Sequence, residues 1–210
     1  MMDETDSVES TNRRSQILRV AAEIFATTGY DASTVRDIAS AVGFSNSGSL
    51  YHHFESKDAI LYELLQRFWA TRWIEINAIL AKHTAASEAL RNLVEGTLQA
   101  TIDFPHEISI LNKDSAVLAT LPEFSFLREN ESKSGEAWRT LITSAIEEVS
   151  FRKETDVDLV YRTLMGAILW GGRWFDPRGH LQAEQVAEKI WRIVFYGVAT
   201  TRQTELGQNH

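Results

Sequence analysis

The 210 residues predict an all-α protein, with a small helix-turn-helix head over residues 12–56 and a larger helical domain over residues 57–204. Three observations predict it. Apolar residues recur at i, i+3, i+4 and i+7 in one segment after another, the spacing that gathers them on one face of a helix. No run alternates apolar and polar as a half-buried strand would, and no internal repeat is evident. Only three prolines and eleven glycines interrupt the chain, and 44% of its residues are hydrophobic, enough for a substantial core at this length.

The leading residues, MMDETDSVES, are acidic and polar without an apolar stretch, so residues 1–11 read as a disordered, solvated tail and not as a signal peptide. A first helix follows, with Ile17, Leu18, Ala21, Ala22 and Phe25 on its apolar face and Gly29 as its stop. A second begins at Thr34, which can cap it in a capping-box arrangement with Asp37, and buries Val35, Ile38, Ala39 and Val42. Gly43 ends it, because glycine adopts the left-handed conformation without a Cβ penalty and lets the chain turn sharply.

The third helix, about Asn46 to Phe54, has few inward residues (Leu50, Tyr51 and Phe54) and many small polar ones: Ser45, Asn46, Ser47, Ser49, His52 and His53. It buries too little to be justified by its core. Small hydrogen-bonding side chains on a protruding helix suit the major groove of DNA, where each base pair presents a distinct donor and acceptor pattern. Base readout then falls to Asn46, Ser47, Ser49 and His52, with Gly48 permitting close backbone approach. Arg36, beside the start of the second helix, is placed for a base or phosphate contact. His52 and His53 do not suggest a metal, because helical neighbours point about 100 degrees apart and no third ligand stands at i+3 or i+4. Ser56 caps the next helix, and Asp58 complements its dipole.

These residues resemble the TetR-type bacterial transcriptional regulators. The resemblance is carried by TVRDIASAVG (Thr34, Ile38, Ala39, Gly43), SGSLYHHF (Ser47 to Phe54) and ESKDAIL (Ser56, Lys57, Leu61), with the first helix in agreement. It is specific over residues 12–65 and architectural beyond them. The turn between Gly43 and Leu50 is one residue longer than is usual in the family, so the resemblance does not fix the register of Ser45 to Ser47. It implies phosphate contacts by Thr34, through its hydroxyl or backbone N–H, and by Tyr51, His53 and Lys57, which position the helix without reading sequence. It also implies a repressor that binds a palindromic operator as a dimer.

A net charge of −8 is unusual for such a protein, but residues 11–60 balance five basic residues (Arg13, Arg14, Arg19, Arg36, Lys57) against five acidic ones (Glu23, Asp31, Asp37, Glu55, Asp58). A head near neutrality predicts a weak salt dependence of DNA binding. Zero cysteines exclude disulfides, thiol catalysis and Cys-ligated metals. No window reaches the apolar length of a membrane span, and a cytoplasmic protein without a cofactor is expected.

Beyond the head, Ile60, Leu61, Leu64, Leu65, Phe68, Trp69, Trp73, Ile76 and Leu80 trace a helix too long for the head alone, which predicts a bridge to the second domain. Leu90, Leu93, Val94, Leu98 and Ile102 predict a helix ended near Pro105; Trp138, Leu141, Ile142, Ala145, Ile146 and Val149 predict another. Thr155 with Asp158 resembles a capping box before Val160, Tyr161, Leu164 and Ile168, and a last helix carries Val186, Ile190, Ile193, Val194 and Val198. The last two helices are apolar on more than one face, which predicts a C2 dimer through residues 156–176 and 181–201, with Tyr161, Ile168, Trp174, Phe175, Ile190, Trp191 and Val194 at the interface. Gly171 and Gly172 suggest a kink or a close backbone approach.

The resembled family is known for an apolar effector site, for which Trp69, Trp73, Phe104, Ile108, Leu111, Trp138, Leu141, Met165 and Leu169 are the candidates. LPEFSFL, DVDLVYR and GGRWFDP are similar to segments of actinobacterial repressors of sterol and fatty-acid catabolism, whose effectors are acyl-CoA thioesters. Met165 and Leu169 are apolar where such a ligand would meet polar or cationic groups, so a regulator of drug efflux responding to hydrophobic drugs is the alternative. An enzyme is the rival class, together with a helical ligand-binding protein that does not bind DNA. There is no Gly-rich phosphate loop, HExxH or nucleophile elbow, and the pairs Asp103 with His106 and Asp176 with His180 fall at predicted helix ends.

Overall fold

A computed structural model describes residues 3–82, 84–171, 175 and 179–198, with side chains from residue 12 onward. Among them it is all-α, without a strand. The helices are α1 (Asp3–Thr28), α2 (Val35–Val42), α3 (Gly48–Tyr51), α4 (Lys57–Leu80), α5 (Ala86–Asp103), α6 (Pro105–Leu118), α7 (Ser125–Glu147), α8 (Val157–Leu169) and α9 (Ala183–Val198), with a 3-10 turn at Pro122–Phe124 before α7.

Helix α1 starts earlier than the sequence reading expects, because no proline or glycine interrupts the chain before Gly29. The expected stop is present: Gly29 sits at φ +92°, in the left-handed region, and its N–H returns to the Phe25 carbonyl at 3.0 Å.

The chain forms two compact units. The first comprises residues 1–73 and 104–130, the second residues 74–103 and 131–210, so the boundary falls inside α4. In the first, α1 packs against α2 and α6. Ile17, Phe25, Ile38, Leu50, Leu61 and Leu65 are fully buried there in one cluster with Ile110 and Leu118 of α6. Helix α6 is an element the sequence reading passes over. Pro105 ends α5 but also opens α6, where a missing N–H costs nothing and the fixed φ suits a helix. Lys113 of α6 then donates to the Ala26 carbonyl at 2.7 Å, and Asp114 accepts from the Tyr30 N–H at 3.3 Å.

In the second unit α5 packs against both α8 and α9, which also pack on each other. Leu90, Val94 and Leu98 of α5 are buried in this unit, as are Trp138, Ile142, Leu164, Ile168, Val186 and Trp191. A Cβ on Gly171 would lie 3.2 Å from the Leu98 side chain, so the close approach expected of this glycine is present; Gly172 lies outside the described residues. The cap of α8 is Asp156, whose carboxylate accepts from the Leu159 N–H at 2.9 Å. Thr155, expected in that role, has its hydroxyl buried without a partner among the described residues, because the helix begins one residue later. No helix among the described residues is long and apolar enough to cross a membrane.

Candidate nucleic-acid interface

Helix α2 is fixed at both ends by its own sequence. Thr34 Oγ1 accepts from the Asp37 N–H at 3.2 Å, and the Asp37 carboxylate accepts from the Thr34 N–H at 2.9 Å and from its hydroxyl at 2.6 Å. Those bonds hold the Asp37 carboxyl below the usual range, the hydroxyl's contribution being largest. At the other end Gly43 sits at φ +87°, and the following Phe44 N–H reaches the Ala39 carbonyl at 2.9 Å. Both Thr34 groups expected to meet a phosphate are therefore engaged in the cap. Arg36 lies exposed one turn position away.

Helix α3 is shorter than the expected Asn46 to Phe54, with four helical residues and a turn continuing to His53. Leu50 and Phe54 are buried beneath it, while Tyr51 and His52 are exposed and Ser47 and Ser49 half-buried. Asn46 is spent locally: its Oδ1 accepts from the Ser49 N–H at 3.2 Å, the bond an N-cap makes. That bond also explains Gly48, since a Cβ there would stand 2.9 Å from the same oxygen. The sequence reading assigned Asn46 to base readout and Gly48 to DNA approach; their first duty is to start the helix.

Two of the expected phosphate contacts also have internal work. Lys57 donates to the carbonyls of Tyr30 at 2.7 Å and Ser33 at 3.0 Å, with its ammonium 4.2 Å from the Tyr30 ring centroid, tying down the α1–α2 loop. An ammonium has three donors, so one is left for a phosphate. The half-buried His53 stacks on Phe44, ring centroids 6.1 Å apart and planes 10° from parallel. Burial first, and then the nearby Arg13, Arg14 and His52, push its pKa down, which keeps the imidazole neutral near pH 7. Tyr51, read from the sequence as an inward residue beside Leu50 and Phe54, is instead exposed, the place that the phosphate contact implied by the resemblance requires. Ser56 caps α4 as expected, accepting from the Ala59 N–H at 3.0 Å.

This head matches the family model described as "Bacterial regulatory proteins, tetR family" over residues 17–64, and residues 83–198 match the one described as "Tetracyclin repressor-like, C-terminal domain". The chain belongs to the TetR family. It is 35% identical over 195 residues to the HTH-type transcriptional repressor KstR2 of Mycolicibacterium smegmatis, covering 92% of this chain and 94% of that one. The structure of the ketosteroid transcriptional regulator KstR2 of Mycobacterium tuberculosis superposes with a TM-score of 0.85 at 34% identity, covering 90% of this chain and 95% of that one. AibR in complex with isovaleryl coenzyme A and operator DNA shares the fold, with a TM-score of 0.76 at 23% identity and coverage of 87% and 98%. This TetR-family chain is a DNA-binding transcriptional regulator and not an enzyme.

The effector candidates of this TetR-family member fall in different units. Trp69, Trp73, Phe104, Ile108 and Leu111 lie in the first, packed in or against its core, where Phe104 makes an edge contact with Phe68 at 5.5 Å. Trp73 donates through Nε1 to Asn130 Oδ1, whereas the buried Trp69 Nε1 has no acceptor among the described residues. Trp138, Leu141, Met165 and Leu169 lie in the second unit, Trp138 fully buried in its core and Leu169 exposed.

The residues expected at the dimer interface differ in exposure. Ile168, Ile190 and Trp191 are buried within the second unit because α5 packs on the inner faces of α8 and α9. Tyr161 packs beside Gly135 of α7 and under the Arg139 guanidinium, 4.4 Å from its ring centroid. Phe175 and Val194 are half-buried, and Trp174 lies outside the described residues. The apolar side chains left exposed on and just after these helices are Leu159, Leu169, Trp170, Ile193 and Tyr196.

Proposed function

We propose that this chain is a repressor that binds a palindromic operator as a homodimer and leaves it when a small, largely apolar effector carrying a carbonyl oxygen binds. The observation that carries the DNA half is α3: a four-residue helix with its apolar underside buried and Ser47, Ser49, Tyr51 and His52 toward its outer side. Arg36, His53 and Lys57 flank it as phosphate contacts, Lys57 through its remaining donor, while Thr34 serves as the cap of α2. The exposed apolar side chains Leu159, Ile193 and Tyr196 suit a second copy, which would carry a second recognition helix to a half-site roughly 34 Å away.

Trp69 is the residue that calls for the carbonyl. A buried indole N–H without an acceptor costs free energy that a ligand oxygen recovers. A relative of this chain is a ketosteroid transcriptional regulator, and both ketosteroids and the acyl part of acyl-CoA thioesters carry such an oxygen on an apolar body. The effector would shift the population toward a dimer with badly spaced recognition helices, by its differential affinity.

A gel shift with the DNA upstream of its own gene tests both halves. Retardation that a ketosteroid or its acyl-CoA thioester reverses is the expected result. Release only by hydrophobic drugs lacking a carbonyl would overturn the effector assignment in favour of a drug-efflux regulator. Repeating the shift across salt concentrations checks the near-neutral head, for which a slope implying about ten or more released ions is excluded.

A further inference from the structure

A helix of four residues closes little more than one turn, so α3 has almost no stability of its own and stands where its neighbours hold it. Its underside is held by Leu50 and Phe54, its N-terminal end by Asn46. The C-terminal end is held by Arg14, which lies on α1, far away in sequence. Arg14 Nη1 donates to the His53 carbonyl, and its Nε and Nη2 fork onto the carboxylate of Glu63 on α4, with Nε 2.9 Å from Oε2 and 3.1 Å from Oε1. The guanidinium also covers the Phe54 ring, 4.0 Å from its centroid. Glu63 accepts from Arg67 as well, at 2.6 Å. Burial alone would raise the Glu63 carboxyl; the two arginines overcome it and hold that group below its usual range, so the clamp stays charged near neutral pH.

All three nitrogens of Arg14 are engaged, and they join three elements: α1, the end of α3 and α4. The planar fork spreads its donors over three nitrogens and so spans a backbone carbonyl and a bidentate carboxylate in one fixed geometry; an ammonium gathers its donors on one nitrogen and does not match that spacing. We propose that Arg14 is a positioning residue for DNA recognition, tying the C-terminal end of the recognition helix to α4 through Glu63 and so setting the angle at which Ser49, Tyr51 and His52 meet the groove, without touching DNA itself. This rests on α3 being the DNA-reading helix. Arg14 differs in kind from Arg36, which lies exposed and suits direct contact.

The test uses the full chain and a duplex enriched from a random pool by the wild-type protein, against a scrambled duplex of equal length. Arg14→Met is expected to lower the ratio of selected to scrambled affinity about tenfold or more, with affinity for the scrambled duplex, its salt slope and the dimer unchanged. Arg14→Lys keeps the charge and loses the fork, and is expected to fall between the two; it carries the test should Arg14→Met not fold. The exchange Arg14→Glu with Glu63→Arg restores an ion pair but not the bond to His53, and is expected to leave discrimination lost. Three results would overturn the proposal: equal loss on both duplexes, a salt slope lower by about one, the mark of a lost phosphate contact, or recovery of discrimination by the exchange. Tyr51→Ala serves as the control on α3. Unchanged binding of the selected duplex by that variant would show that the DNA-reading assignment has failed, and the positioning role with it.

Discussion

The two short helices of the head are held by opposite means. Helix α2 closes on itself: Thr34 and Asp37 exchange hydrogen bonds at its start, and Gly43 takes the left-handed turn at its end. Helix α3 makes one local cap, from Asn46, and otherwise depends on Leu50 and Phe54 beneath it and on Arg14 across the fold. A helix closed by its own residues keeps its shape wherever the chain carries it. One held by neighbours moves when they move, a property that suits the role proposed for α3 in reading DNA under effector control.

Substitutions at matched positions sharpen or break the contrast. The largest effect belongs to Leu50→Ala, which empties a fully buried site under α3 and is expected to cost about 3 kcal/mol in urea unfolding; a loss under 1 kcal/mol would mean that α3 does not depend on this anchor. Gly43→Ala follows, at about 1–2 kcal/mol, because φ +87° places a Cβ against the backbone; it should act on α2 and α3 together. Thr34→Ala is expected to cost about 1 kcal/mol and to change the acid limb of stability as well. The Asp37 carboxyl is held below its ordinary value in the folded chain, so its contribution is present above the unfolded pKa and fades as the pH falls through the folded one. Unfolding midpoints compared at about pH 5 and about pH 3 should differ less in Thr34→Ala than in the parent. Asn46→Ala comes last, at about 0.5 kcal/mol, since its cap serves a single exposed turn. If Asn46→Ala cost more than Thr34→Ala, α3 would be the locally determined helix and the contrast would be reversed.

The second unit shows where reading a sequence runs out. Helices α8 and α9 carry apolar residues on two faces, and periodicity cannot say which face meets α5 and which is left over. Ile168, Ile190 and Trp191 went to the core, leaving Leu159, Ile193 and Tyr196 outside. Pro105 is similarly ambiguous: it stops a helix and equally well starts one, and only the packing of α6 on α1 shows that it does both. In the site, Ser56 caps α4 as its local signal implies, whereas Tyr51, read as inward, is exposed. Lys57 donates to the carbonyls of Tyr30 and Ser33, which come within its reach only after the α1–α2 loop folds back. Arg14 had no local signal at all, since its partners lie 39 and 49 residues away.

What the residues determined by themselves is the all-α class, the capping box at Thr34, the left-handed glycines at 29 and 43 and the polar face of the third helix. Each is set by interactions within a few residues, whose geometry does not depend on the rest of the chain. The tertiary structure decided the length of α3, the inner faces of α8 and α9, the inward turn of Lys57 and the clamp on His53. Those depend on which distant side chains compete for the same carbonyls and the same buried space, and that competition exists only once the chain is folded.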